Sequence, residues 1–166
     1  MSSLTGVILT ANDEVAQFKL GVVFEASTGK KYKYVQFDNG AGNVAAVAGN
    51  VAYYLAVSGA SAGQTTIVTM DLSDSAGVGA GVFQAVLTDL YHGWVQVTGP
   101  ATLTTALTAG ADGNALTPVG SSDGTLDVSA LVSDDVSPPH FGRDTNGWNA
   151  LYLRQEVLHK VQTKSG

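Results

Sequence analysis

Three histidines (His92, His140 and His159) and one adjacent carboxylate pair (Asp134-Asp135) are the residues best suited by type to catalysis or metal binding. No histidine stands two or four positions from another, so a zinc or non-haem iron site would need assembly entirely through tertiary contacts. Adjacent aspartates in a polar loop point apart and stay solvated, which suits acid–base work poorly. Serines are frequent, but no Gly-x-Ser-x-Gly elbow accompanies them. Gly77-Val78-Gly79-Ala80-Gly81 invites a phosphate-loop reading, yet it lacks Gly-Lys-Ser/Thr and the third-glycine spacing of a dinucleotide fingerprint. It reads as a flexible turn or bulge. Asp112-Gly113-Asn114 and Ser121-Ser122-Asp123-Gly124 look like calcium-loop fragments without the full register, which turn chemistry explains. Cysteine is absent, removing disulfides, thiolate metal sites and thiol nucleophiles. The expectation is a chain without catalytic residues, metal or organic cofactor.

Aromatic and apolar residues offer a different chemistry, that of interfaces. Tyr91 and Trp94 flank a glycine in Leu90-Tyr91-His92-Gly93-Trp94, and Trp148 follows Gly147 with Leu151, Tyr152 and Leu153 nearby. Such residues are either core or interface anchors. Near the N-terminus, Leu4, Val7, Ile8 and Leu9 are followed by polar Asn12-Asp13-Glu14. Residues 1–14 therefore read equally as an arm that docks on a partner or as an ordinary first strand.

The elements that must position these residues read as many short strands. β-branched and aromatic clusters alternate with Gly, Asn, Asp and Ser near 5–10, 18–26, 31–37, 51–58, 65–70, 82–90, 93–98, 102–107, 125–128 and 150–157. In 31–37, Lys31, Lys33, Val35 and Phe37 share one face while Tyr32, Tyr34 and Gln36 share the other. Ser27-Thr28-Gly29-Lys30 joins 18–26 to 31–37 as a hairpin. Helical signals are weak: Ala41–Ala48 is broken by glycine, Asp71–Ala76 runs into Gly77, and 150–160 suits a strand in its first half. Pro138-Pro139 places 133–147 in a loop. Residues 15–166 read as one β-rich domain, or as two lobes divided near 99.

Composition narrows the partners. Charged residues make up 13% of the 166, well below the usual share of about a quarter, and hydrophobic ones 45%. So little polar surface is compatible with buried interfaces. The formal charge of −6, with four basic and seven acidic residues in each of 1–98 and 99–166, argues against a nucleic-acid partner. No basic n-region or apolar run of membrane-spanning length is present, so neither a signal peptide nor a membrane is expected, and the cytosol is the expected place of synthesis.

The phrase Tyr91-His92-Gly93-Trp94-Val95-Gln96-Val97-Thr98-Gly99 resembles one found in capsid decoration (cement) and related head proteins of tailed bacteriophages. Leu107-Thr108-Ala109-Gly110-Ala111-Asp112-Gly113 continues the likeness downstream, and Phe18-Lys19-Leu20-Gly21 with Lys31-Tyr32-Lys33-Tyr34-Val35 is similar to the early hairpin of that group. The likeness covers roughly residues 15–130; the Pro138-Pro139-His140 loop and the 150–160 tail depart from it. It implies an all-β fold of small barrel or tulip type. It also implies a homo-oligomer (a trimer), the major capsid protein as partner, and a place on the outside of a virion assembled in the host cytoplasm. Mechanically, such a protein bridges capsomers without catalysis. Two rival readings are a tail or head-fibre subunit, which fixed-period repeats would support, and a carbohydrate-binding β-sandwich using Trp94, Trp148 or the tyrosines for stacking. No such repeat is visible in the sequence.

Overall fold

A computed structural model describes residues 6–56, 65–104, 116–117, 122–128 and 150–153. Among them there is no helix, and nine strands follow in order: β1 (Val23–Glu25), β2 (Lys31–Phe37), β3 (Val51–Leu55), β4 (Ile67–Thr69), β5 (Ser75–Phe83), β6 (His92–Thr102), β7 (Leu116–Thr117), β8 (Asp127–Val128) and β9 (Ala150–Leu153). β2, β4, β3, β5 and β6 pair in that order, and β6 pairs back to β2. The sheet closes. The molecule is an all-β protein built on a five-stranded barrel, as the sequence pattern and the family likeness led one to expect. Closure removes two sheet edges that would otherwise expose unpaired backbone. All barrel pairings are antiparallel except β2–β4, where Gln36 lies beside Ile67 and Phe37 beside Val68.

Side-chain alternation assigns the two faces of the barrel wall. One buried cluster draws on all five strands: Val35 and Phe37, Ala52, Val68, Ala80 and Phe83, and Val95. That is the interior, where the Phe37 and Phe83 rings meet edge-on at 5.6 Å. Met70, Ala46, Ala85 and Leu87, from the connections, pack into the same cluster. On β2 the interior row continues to Lys33, whose ammonium lies 5.1 Å from the centre of the Tyr54 ring. The lysine thus sits at the end of the apolar row, where its charge keeps an aromatic partner.

Two further clusters clothe the outer wall. Val51, Tyr53 and Val82 are covered by Leu72, Ala101, Leu103 and Leu126. Tyr32, Tyr34 and Trp94 are covered by Val7, Leu9, Phe18, Leu20, Phe24 and Ala26. A five-stranded barrel is too narrow to bury many side chains inside, so flanking segments laid over its outer wall supply the remaining apolar burial.

Several elements differ from the sequence reading. Residues 6–10 form turns and irregular backbone rather than a strand. The hairpin strand begins at Val23 rather than near 18, with Gly29 at φ 78° in its loop and Glu25 opposite Lys31. Gly77–Gly81 lies inside β5 rather than in a turn, and the register with β3 shifts there as a bulge does, while 84–91 is a connection rather than the end of a strand. Gly99 falls within β6, whose far end, Gly99–Thr102, pairs with β9. The parts of the 102–107 strand beyond 104 and the 133–147 loop lie outside the described residues.

Glycine has a specific reason at two positions. At Gly81 (φ 147°) an added Cβ would stand 2.5 Å from the Gln96 carbonyl oxygen on the neighbouring strand. At Gly93 it would meet the Leu87 side chain at 2.5 Å and the Ala11 carbonyl oxygen at 3.0 Å. Both mark places where another stretch of backbone or core approaches too closely for a side chain.

Candidate functional site

The segment 7–26 is held by polar suture as well as apolar contact. Asp13 and His92 exchange both backbone hydrogen bonds, 2.9 Å from Asp13 N to His92 O and 2.8 Å in return. His92 Nδ1 lies a further 3.1 Å from the Asp13 carbonyl oxygen, so the tautomer protonated at Nδ1 donates to it. The Tyr34 hydroxyl donates to Asp13 Oδ2 at 2.7 Å and accepts from Gln17 N at 3.2 Å. Burial, with Asp13 adding to it, pushes the Tyr34 phenol up to about 12 against the opposing Gln17 hydrogen bond. Asn12 completes the suture: its Nδ2 donates to Thr88 Oγ1 at 2.9 Å and its Oδ1 accepts from Thr88 N at 3.0 Å.

Those bonds tie residues 8–15 to the connection 86–90, and both segments present apolar side chains to solvent. Ile8 is 65% exposed, Val15 70%, Val86 61% and Leu90 56%. Leu90 is unusual in its backbone too, with φ of 63°. A bulky non-glycine residue in the left-handed region is strained. The strain is held in place: Leu90 N donates to Phe37 O at 2.9 Å, and Gln36 Nε2 donates to Leu90 O at 3.1 Å. Barrel strand β2 thus clamps a strained backbone whose side chain faces outward. These four residues are the candidate contact residues.

The carboxylates, by contrast, are spent on the fold. Four successive backbone N–H groups each donate to a different aspartate: Asn39 to Asp89, Gly40 to Asp38, Ala41 to Asp74 and Gly42 to Asp71. Asp71 is buried and also accepts from Ser73 N and Oγ, at 2.9 and 2.6 Å. The Ser73 hydroxyl leads the bonds that hold its carboxyl below the usual carboxylate range, outweighing the effect of burial. Asp123, from the calcium-like fragment, accepts from Leu72 N at 2.8 Å. Among the described residues, the one ion pair joins Lys31 to Glu25, and no group of three or more His, Asp or Glu side chains is arranged to hold a metal ion.

The residues singled out by sequence separate clearly. Trp94, a candidate interface anchor, is 1% exposed beneath Phe18, Phe24 and Tyr34, at ring separations of 5.3, 6.2 and 5.0 Å. It is core, because the N-terminal cover seals the outer face of β6, and it offers no platform for a sugar. Val7 and Leu9 are partly buried in that same cover, whereas Ile8 faces out. Tyr91 is half-buried beside Leu90, its carbonyl accepting from Phe37 N at 2.8 Å. Leu4, Trp148, His140, His159, Asp112-Gly113-Asn114 and Asp134-Asp135 lie outside the described residues. Sequence reasoning passed over Val15, Val86 and Leu90, since isolated apolar residues in connections carry no periodic signal. No family model, curated protein or solved structure matches the chain.

Proposed function

We propose that this chain is a non-enzymatic docking protein that decorates the outer surface of a tailed-bacteriophage capsid as a homotrimer, cementing neighbouring capsomers. The observation that carries the docking role is Leu90: a strained backbone, clamped by β2, holding an apolar side chain in solvent. Strain of this kind persists only where the surroundings over-determine it, and it concentrates at contact and ligand sites. Ile8, Val15 and Val86, on two segments joined by the Asn12–Thr88 bonds, add further exposed apolar side chains. Burying a residue such as Leu90 stabilises a contact by about 1.5–3 kcal/mol, and repetition across a shell multiplies modest contacts into firm attachment. The shell as partner rests on the likeness of Tyr91–Gly99 and the early hairpin to decoration proteins. A non-enzymatic role is supported by Asp38, Asp71, Asp74 and Asp89, which serve as backbone acceptors in one turn.

Mixing the purified protein with undecorated tailed-phage shells and imaging by electron cryo-microscopy tests the proposal. Threefold density on the outer surface, with 8–15 and 86–90 against the capsomers, is the expected result. Bare shells at saturating protein would overturn it.

A further inference from the structure

The turn at 39–42 contains Asn39-Gly40, the dipeptide most prone to spontaneous deamidation, because a glycine leaves its backbone nitrogen unshielded. In the reaction, the Gly40 nitrogen loses its proton to solvent base and attacks Asn39 Cγ, closing a five-membered succinimide. The Cγ–Nδ2 bond breaks, and the nitrogen leaves as ammonia after taking a proton from water. Water then opens the ring at either carbonyl, giving aspartate or isoaspartate, so the net change is Asn plus water to acid plus ammonia.

This protein places obstacles at each step. The Gly40 N–H donates to Asp38 Oδ1 at 2.9 Å, so the attacking nitrogen is occupied, and the adjacent negative charge opposes its deprotonation. Asn39 itself is held on three sides: its N donates to Asp89 Oδ1 at 3.0 Å, its carbonyl accepts from Val44 N at 2.9 Å, and its Nδ2 donates to Asn43 Oδ1 at 3.3 Å. The neighbouring Ala41 and Gly42 N–H groups are fixed on Asp74 and Asp71. Rotation of the Asn39 side chain towards Gly40 N requires this arrangement to open.

We propose that Asn39 is a latent deamidation site, held unreactive by the Asp38 carboxylate on Gly40 N, whose conversion detaches the 39–42 turn. A new carboxylate at 39 would join Asp38, Asp71, Asp74 and Asp89, with none of those four in an ion pair among the described residues. An isoaspartate would also lengthen the backbone and move the four N–H groups off their acceptors.

The test follows acid formation at residue 39 by peptide mapping, with an isoaspartate assay, in the folded full-length protein at mildly alkaline pH. The same chain unfolded in denaturant serves as reference, and the second dipeptide, Asn146-Gly147, is scored separately. The folded protein should convert at Asn39 about tenfold to a hundredfold more slowly than the unfolded chain, the rate equivalent of one hydrogen bond to a charged acceptor. Asp38→Ala should recover most of that factor while its circular dichroism stays native. Should Asp38→Ala unfold, Asp38→Asn keeps an acceptor without the charge and should fall between the two. Equal rates in folded and unfolded wild type, or a folded Asp38 variant as slow as wild type, would overturn the proposal. Converted protein should show faster amide exchange at 40–42, and unchanged exchange would overturn the detachment.

Discussion

At the scale of single residues, the Tyr34 phenol and the Asp71 carboxylate are polar groups whose hydrogen bonds unfolding would break. Tyr34→Phe removes the bonds to Asp13 and Gln17. Chemical denaturation should show a loss of about 1–3 kcal/mol. The phenol's folded value of about 12 lies above its ordinary one, so its contribution is complete below the unfolded pKa and disappears as pH rises through about 12. Alkaline titration should therefore unfold the wild type more steeply in that window than Tyr34→Phe. Asp71 has the opposite sign. Its folded pKa is depressed, so its contribution is present above the ordinary carboxylate range and lost as pH falls through the depressed value. Asp71→Asn should lower stability at neutral pH and flatten the acid limb of the stability profile; an unchanged acid limb would remove Asp71 from acid denaturation. Leu90 behaves unlike either. Leu90→Gly relieves the left-handed strain, partly offset by the greater freedom of glycine in the unfolded chain, and should raise stability by about 0.5–1 kcal/mol.

At the scale of elements, the N-terminal cover is the least conventional part: before β1 it lies over Tyr32, Tyr34 and Trp94 with a single isolated bridge, and only Val23–Glu25 adds a ladder to β2. A variant beginning at Val15 loses Val7, Leu9 and Asp13. It should melt lower and loosen the packing over Trp94, seen as a red shift in tryptophan emission, because Val7 and Leu9 leave the outer wall and the Asp13 bonds to Tyr34 and His92 are lost. An unchanged emission and melting temperature would mean the cover contributes nothing. The alternation in Lys31–Phe37 was fully legible, because strand periodicity depends on local sequence alone, and the hairpin loop at 27–30 was legible through its glycine. β5 was not. Its glycines have low strand propensity, and their purpose lies in partners distant in sequence: Gly79 stands opposite Tyr53, and Gly81 under the Gln96 carbonyl. The parallel β2–β4 pairing that closes the barrel was equally hidden, since no local pattern encodes which strands meet. Of the candidate site, Ile8 was legible by its apolar neighbours, whereas Leu90 required knowing its backbone angle.

At the scale of the whole molecule, a barrel with apolar clusters inside and on two outer faces joins a low charge content to several exposed apolar side chains. The trimeric reading predicts that sedimentation equilibrium at micromolar concentration yields about three times the 17.0 kDa chain mass; a purely monomeric distribution, alone and on particles, would contradict it. The central claim is that Leu90 trades stability for contact, and shell occupancy by Leu90→Gly against wild type measures it most directly. With equal protein added to undecorated shells, the variant should bind about tenfold to a hundredfold more weakly although it is the more stable protein, reflecting one lost apolar anchor. Wild-type occupancy by the variant would contradict the claim.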